Sequence, residues 1–165
     1  MNESFTQSLD ATDLRLLAQL QTDASLTNQA LAERLHVSPA TALRRTKLLR
    51  DAGIIERTVA LLSPDELAPL IGAGLTAIVE VTLDVQAAER ATEFEAKCEQ
   101  ESTVQQLYRV SSGPDFVLIC AVRDMPDYHA LVARLFTADA NVRNVKCFFS
   151  IKRAKFAPGV VLPSA

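Results

Sequence analysis

The sequence lacks an excess of positive charge, since 17 Lys and Arg stand against 20 Asp and Glu, a net charge of -3. That balance excludes a basic coat that would hold nucleic acid or acidic membrane over the whole surface, so any such contact must be local. Long apolar runs are also missing. The longest uncharged apolar stretch, residues 67–79, contains proline and glycine and is far shorter than the about 20 residues that a membrane-spanning helix needs. We therefore expect no contact with a membrane.

Cysteine is scarce, and the start of the sequence carries no secretory signal. Cys98, Cys120 and Cys147 are odd in number and widely spaced. Each lies in an apolar or amphipathic run, which predicts buried thiols rather than a disulfide or a metal site. The opening M-N-E-S-F-T-Q-S has neither the basic nor the apolar stretch of a signal peptide. These absences predict a cytoplasmic protein that holds no metal and no cofactor.

What the sequence does contain is a globular composition, with 48% hydrophobic and 22% charged residues in a chain of 165. That length suits one ordinary domain or two small ones. Pro64, Pro69, Gly72 and Gly74 crowd into one short stretch, which marks the clearest boundary in the chain. We therefore expect a first domain over residues 1–62, a linker over 63–74 and a second domain over 75–165.

Three helices are predicted in the first domain. Leucines at helical spacing over residues 9–20, with Asp10 as N-cap, mark the first. Thr27 begins the second, which extends to His36, and Ser38 followed by Pro39 begins the third, which ends before Gly53. The β-branched and apolar residues 54–62 that follow predict a short strand or wing.

The second domain repeats one pattern twice. A strand over 75–84, a helix near 86–101 and a strand over 103–110 make the first unit. A strand over 116–123, a helix over 126–138 and a strand over 142–153 make the second. Two consecutive β-α-β units of this size predict an α+β chain whose C-terminal half is a ferredoxin-like βαββαβ sandwich, with both helices on one face of a four-stranded sheet.

The strands of this sheet are apolar on both faces. All residues over 116–122 are apolar, and Ile78 and Phe148 lie on the face opposite Val79 and Cys147. A sheet with one face in solvent should alternate apolar with polar residues. Single apolar residues are tolerated on surfaces, but here many lie together. We therefore expect a second sheet to cover this face, in a homodimer.

The third predicted helix carries the clearest functional signal. With Ala42, Thr46 and Leu49 toward the core, its outer face is small at the start and basic further along. Residues 43–57 contain five basic and two acidic side chains, a local charge of +3 in a chain of -3. Three short helices with a capped, basic third one are typical of a helix-turn-helix, whose recognition helix enters the major groove of DNA.

The basic residues of this helix have distinct expected roles. Arginine suits the paired acceptors of guanine, so Arg44 is the first candidate for base recognition. Arg45, Lys47 and Arg50 are expected to contact phosphates. A solvated basic helix face is the alternative interpretation. The predicted site for double-stranded DNA comprises Thr27, Asn28, Gln29, Ser38, Ala40, Thr41, Arg44, Arg45, Lys47 and Arg50.

Five stretches of the chain resemble one family. They are L-D-x-x-D-x-x-x-L-x-x-L at 9–20, L-T-x-x-x-L-A-E-R-L at 26–35, V-S-P-A-T-A-L-R-R-x-x-x-L-x-x-x-G-I-I at 37–55, V-S-S-G-P-D-F-V-L at 110–118 and D-M-P-D-Y at 124–128. Together they look like the Lrp/AsnC transcription regulators. The resemblance implies a winged or plain helix-turn-helix, a ferredoxin-like effector domain, dimers that often associate into octamers, and control by a small molecule, commonly an amino acid.

The resemblance also implies an effector site near the loop between the second and third strands. Hydroxyls and backbone amides there suit a carboxylate, and the carboxylate of Asp115 suits an ammonium group. A tight β-turn is the alternative. The family usually has its glycine three residues before the aspartate, where this chain has Ser112, so the effector's identity stays open. The predicted effector site is Ser111, Ser112, Gly113, Pro114 and Asp115.

Two other classes of protein compete with a regulator. Sirohaem decarboxylases resemble this family but need a histidine near the second and third strands, where this chain has Tyr108 and Arg109. No nucleophile is paired with a base and no glycine loop for phosphate occurs, so we expect no enzyme. A sensing module whose helix-turn-helix has lost DNA binding is the other alternative, which a steep loss of DNA affinity with salt would exclude.

Overall fold

In the computed structural model, which describes residues 8–72 and 74–163, the chain forms two compact units. The first combines the residues up to Leu61 with the end of the chain from Lys155, and the second is Leu62–Ala154. The end of the chain joins the first unit because Gln21 Nε2 donates to the Val160 carbonyl at 3.1 Å and the Val160 amide donates to Gln21 Oε1 at 3.0 Å. The structure thus groups the residues from Lys155 onward with the first unit, whereas the sequence predicted a second domain over 75–165.

The first unit contains the three predicted helices: α1 is Ala11–Thr22, α2 is Asn28–Leu35 and α3 is Pro39–Asp51. Each begins at a side chain that accepts a backbone N–H. Asp10 accepts from the Asp13 amide at 2.8 Å, Thr27 from the Ala30 amide at 3.1 Å and Ser38 from the Thr41 amide at 3.1 Å. These bonds satisfy donors that a helix start would otherwise leave unpaired, which confirms the three predicted caps.

A small apolar core holds the three helices together. His36 ends α2 in the left-handed conformation at φ 55°, and α3 begins three residues later at Pro39. Ala42, Thr46 and Leu49 turn one side of α3 inward, as predicted, and the opposite side faces out. The buried apolar residues of this core are Leu16, Leu31, Ala32, Leu35, Ala42 and Leu49.

The strand expected after α3 does not form. Residues 54–62 carry neither helix nor strand, and Val59, Leu61 and Leu62 are 62%, 63% and 68% exposed. A strand needs a neighbour to pair with its backbone N–H and C=O groups, and among the described residues none pairs with this segment. The strand predicted from the β-branched and apolar composition of residues 54–62 is therefore wrong.

The second unit has the predicted ferredoxin-like order. The region expected as a linker contains a helix, α4, capped by Ser63. The later elements form an antiparallel sheet in the order β2-β3-β1-β4. The elements are α4 Pro64–Ile71, β1 Leu75–Leu83, α5 Ala88–Glu99, β2 Val104–Arg109, β3 Phe116–Val122, α6 Met125–Val132 continued by a π-helical turn Ala133–Thr137, and β4 Val142–Phe149.

One face of this sheet packs against helices and forms the larger core. Phe94 of α5 lies with its ring centroid 4.9 Å from that of Phe116 on β3. Cys98 and Cys120 are buried in the same core, and burial raises the pKa of each thiol to about 12. The prediction of buried thiols is confirmed for these two, while Cys147 is half-buried.

The other face of the sheet carries an apolar row across three strands. Ile78 on β1 pairs with Ile119 on β3 and with Phe148 on β4, which places these three side chains in one row across the sheet. Tyr108 on β2 pairs with Val117 on β3 in the next row. Tyr108 is 52% exposed and Phe148 is 43% exposed. In that next row Glu80 on β1 pairs with Val117 and with Lys146 on β4. The second face, which we call the open face, is therefore only partly apolar, and the prediction of two apolar faces holds for β3 but not for β1 and β4.

No helix in the described part of the chain is both long enough and apolar enough to cross a bilayer.

Candidate nucleic-acid interface and ligand loop

The outer side of α3 presents a short cationic surface. Arg44, Lys47 and Arg50 are exposed. Over residues 8–72 and 74–163, none of these three cations forms an ion pair with a carboxylate of the chain. Their charges are therefore available to an external anion. We call Arg44, Lys47 and Arg50 the cationic face of α3.

The start of α3 is small and firmly capped. The Ser38 and Thr41 hydroxyl oxygens are 2.8 Å apart, and Ala40 is exposed. Proline occupies the first helical position, where the missing N–H costs nothing. Small side chains at the N-terminal turn let the backbone of a recognition helix come close to base edges in the major groove.

The start of α2 supplies a second set of donors. Asn28 and Gln29 are exposed at the first turn, where backbone N–H groups of a helix attract anions. Gln29 Nε2 donates to Glu33 Oε1 at 3.3 Å, and the Thr27 hydroxyl is used by its own helix cap. Asn28 is thus the least engaged of the three side chains predicted to contact phosphates.

Arg45, which was predicted to contact phosphates, does not belong to this cationic face, because its guanidinium is paired with acids of the same chain. Its Nη1 atom lies 2.7 Å from Asp10 Oδ2 and 2.7 Å from Asp13 Oδ1. These hydrogen bonds raise the pKa of Arg45 above its ordinary value, with Asp13 the larger contributor. The Arg45 side chain is only 22% exposed, because helical geometry turns it about 100° from Arg44.

The acidic partners of Arg45 were not among the predicted site residues. The sequence did show Asp10 and Asp13 as an acidic first turn of the first helix. What it did not show is that the fold brings this turn beside α3. Asp10, Asp13, Arg44, Arg45 and Leu48, with Ser8 and Leu49, line one cavity of about 320 Å³.

The loop between β2 and β3 is closed and rigidly shaped. The Val110 amide donates to the Asp115 carbonyl at 3.0 Å. Ser112 and Gly113 adopt positive φ angles of 72° and 90°, a conformation that is costly for a serine. Ser111, Ser112 and Gly113 are exposed and Pro114 is half-buried. The loop is therefore a tight turn, and it also presents its hydroxyls and amides to solvent.

Asp115 anchors this loop to the end of β1. Its Oδ2 atom accepts from the Leu83 amide at 2.7 Å and from Gln86 Nε2 at 3.4 Å. Its backbone amide donates to the Val81 carbonyl at 2.9 Å. The carboxylate that was expected to bind an ammonium group thus also holds the loop to β1 through Oδ2. Gln86, which sequence reasoning did not single out, is brought to the loop by this contact.

A helix-turn-helix with free cations on its recognition helix, joined to a βαββαβ unit with an exposed, ordered loop, defines a DNA-binding regulator with a separate sensor domain. The family described as winged helix-turn-helix DNA-binding matches residues 9–56. The family described as Lrp/AsnC ligand binding domain matches residues 76–160. This chain belongs to the Lrp/AsnC family of DNA-binding transcriptional regulators.

Individual relatives support the same conclusion. An HTH-type transcriptional regulator of Haemophilus influenzae is 35% identical over 156 residues, which cover 94% of this chain and 90% of the relative. The leucine-responsive regulatory protein of Rhizobium meliloti is 34% identical over 149 residues, 90% of this chain and 93% of the relative. These relatives are transcriptional regulators and not enzymes, which confirms the expectation for this protein.

A solved structure is similar to this chain over nearly its full length. It is the crystal structure of a transcriptional regulator from Neisseria meningitidis in complex with L-Met. The match has a TM-score of 0.78 at 30% identity and covers 93% of this chain and 97% of the other. The architecture described above is therefore that of the Lrp/AsnC regulators.

Proposed function

We propose that this regulator binds specific sites in double-stranded DNA as a homodimer and that an amino acid acting at the loop 111–115 controls it. The observation that carries the proposal is the cationic face of α3, whose three side chains have no carboxylate partner among the described residues. Since its target is the cell's own DNA, the protein works in the cytoplasm.

The roles of the cationic face follow from geometry. Arg44 lies near the N-terminal half of α3, the part of a recognition helix that reaches base edges, and a bidentate contact with guanine discriminates by about 1–3 kcal/mol. Lys47 and Arg50 lie further along the helix and contact phosphates, as do Thr27, Asn28 and Gln29 at the start of α2. Ser38, Ala40 and Thr41 complete the surface that enters the major groove. Two recognition helices in a dimer would meet half-sites roughly 34–36 Å apart.

The open face supports the homodimer. Ile78, Ile119 and Phe148 form a continuous apolar row, and an apolar patch of this kind on a soluble protein marks an interaction surface. A second copy offers the same face and can satisfy a twofold contact. Association of such dimers into an octamer is proposed on family membership alone.

The loop 111–115 supports an amino-acid effector. Its exposed backbone amides and serine hydroxyls suit an α-carboxylate. Asp115 Oδ1 accepts no hydrogen bond from the described residues and suits an α-ammonium group. The related regulator of known structure was crystallised with L-Met. Effector binding would favour one assembly of dimers over another, and so change which DNA sites are held.

The DNA-binding roles are tested by Arg44→Ala and Lys47→Ala. We expect Arg44→Ala to lower affinity for the cognate duplex by about 5-fold or more with little change on a scrambled duplex, because it removes a base contact. Lys47→Ala should weaken both duplexes about equally and reduce the salt slope by about 0.9 per DNA-binding unit. Fluorescence anisotropy with both duplexes measures these effects. Equal losses from the two variants on both duplexes would refute the division of roles.

The effector site is tested by Asp115→Asn, which keeps an oxygen for the Leu83 amide but removes the negative charge. We expect this variant to bind DNA as the wild type does and to lose any response to amino acids, because the ammonium group has no counter-charge. Asp84→Asn, an exposed change outside the loop, is the matched control. A thermal-shift screen of both variants against the amino acids checks this, and an unchanged response in Asp115→Asn would remove the loop from the site.

A further inference from the structure

We infer that Arg45 is a positioning residue: it occupies the carboxylates of Asp10 and Asp13 and thereby keeps the neighbouring Arg44 free to read DNA. The inference rests on the DNA binding of this family and on the role proposed for Arg44. Its physical basis is one guanidinium nitrogen that bridges both acids at 2.7 Å each.

Hydrogen bonds that do not involve Arg45 hold the two carboxylates in place. Asp10 Oδ1 accepts from the Asp13 amide at 2.8 Å and Asp13 Oδ2 accepts from the Asp10 amide at 3.2 Å. Each acid therefore uses one oxygen for the cap of α1 and offers the other to Arg45. Reciprocal caps of this kind fix both side chains, so the acids cannot turn away from α3.

Arg44 lines the same cavity as these acids. The cavity of about 320 Å³ is bordered by Asp10, Asp13, Arg44 and Arg45 together. With Arg45 in place, the three charges of Asp10, Asp13 and Arg45 sum to -1. Without it, two uncompensated carboxylates would face Arg44, the nearest other cation bordering that cavity. If Arg44 formed an ion pair there, it could not also contact a DNA base, since guanidinium–carboxylate bonds are strong and directional.

Arg45 is held mainly through a single nitrogen. Its Nε atom is buried and donates to no hydrogen-bond acceptor among the described residues, so both charged contacts go through Nη1. A lysine at this position can offer one charged nitrogen to the same two oxygens, with a side chain one atom shorter. Arg45→Lys is therefore the conservative variant, and Arg45→Gln removes the charge.

The test compares the wild type, Arg45→Gln, Arg45→Lys and the triple variant Asp10→Asn/Asp13→Asn/Arg45→Gln. Asparagine keeps both caps of α1, because it is as good an N-cap as aspartate. Affinity is measured for a duplex footprinted in the DNA upstream of the protein's own gene and for a scrambled duplex. Thermal unfolding of each variant shows that it is folded at the temperature of the binding measurement.

We expect Arg45→Gln to lose about 5-fold or more of the preference for the cognate duplex, the size of one bidentate base contact. The triple variant should regain that preference, because no acid is left to capture Arg44, and Arg45→Lys should retain most of it. If Arg45→Gln is too unstable to assay, the triple variant and Arg45→Lys still decide, since both should prefer the cognate duplex as the wild type does.

Four results would overturn the inference, the last of them together with the proposed function. Loss of affinity on both duplexes with a salt slope smaller by about 0.9 would make Arg45 a phosphate contact. An Arg45→Gln preference equal to the wild type would leave it a structural residue only. A triple variant that stays as unselective as Arg45→Gln would show that the acids do not act on Arg44. A wild type without any preference would instead overturn the proposed sequence-specific function, and the positioning role with it.

Discussion

At the scale of single residues, two acidic side chains at the start of α1 each have two structural roles. Asp10 and Asp13 cap the helix and hold Arg45 of α3. The Asp13 amide, followed by the Arg45 guanidinium, keeps the pKa of the Asp10 carboxyl below its ordinary value of 3.8. The ionised form of Asp10 is thus the form that the folded state prefers.

That preference predicts a pH dependence. Because the pKa of Asp10 is lower in the folded state than in the unfolded chain, its contribution is complete above the unfolded value and is lost as pH falls through the folded value. We expect wild type to be more stable than Asp10→Asn at neutral pH, and the gap to close from about pH 5 downward. Thermal unfolding across this range measures it. A gap that stays constant or widens in acid would contradict the assignment.

The contrast between Arg44 and Arg45 shows what the sequence could predict at this scale. The helical period correctly placed Arg44 outward and Arg45 at its flank, since that depends only on spacing. The capture of Arg45 by acids 32 and 35 residues away depends on how α1 packs against α3. No local pattern contains that distance, so the sequence could not predict that Arg45 is paired within the chain.

At the scale of elements, the same distinction separates the helices from the segment after them. The starts of α1, α2 and α3 are fixed by Asp10, Thr27 and Ser38, which act on amides three residues away. These signals are local, and the sequence placed all three helix starts correctly. A strand over 54–62 needs a neighbour that composition cannot supply, and the structure has none there. The sequence did not predict α4, because the prolines and glycines of residues 63–74 favoured a linker over a helix.

The cap of α3 gives a prediction that separates stability from DNA binding. Ser38→Ala removes the acceptor for the Thr41 amide and should lower the free energy of unfolding by about 1 kcal/mol. Ser38→Asp keeps an acceptor and should retain stability, but its negative charge at the exposed start of α3 should weaken DNA binding several-fold. Urea denaturation and DNA titration measure the two effects. A destabilised Ser38→Asp, or one with full DNA affinity, would contradict this account of the cap.

At the scale of the whole molecule, the second unit is predicted to bring two copies of the first into one assembly. The sequence could foresee the apolar row of Ile78, Ile119 and Phe148, because strand alternation is a local pattern. It did not foresee that Glu80 and Lys146 make the adjacent row of the same face charged. Which surface covers the open face is a property of two chains, so the homodimer stays a prediction.

The homodimer is tested by a charge on the open face. Phe148→Glu should convert dimers into monomers, because a buried carboxylate without a partner would oppose the pairing of two apolar faces. The variant should also bind DNA more weakly, since one protomer meets only one half-site. Thr92→Glu, on the exposed side of α5, is the control and should remain a dimer. Sedimentation velocity gives the masses, and a wild type that sediments as a monomer would refute the dimer.

The most direct measurement of the central claim is the salt dependence of wild-type binding to a duplex from its own upstream region. If Lys47 and Arg50 of two protomers contact phosphates, about four phosphates are neutralised at about 0.9 each, and log K should fall against log salt with a slope of about -3.6 or steeper. The account predicts tight binding at low salt with this steep loss. Absent binding at low salt, or an affinity that salt does not change, would contradict it.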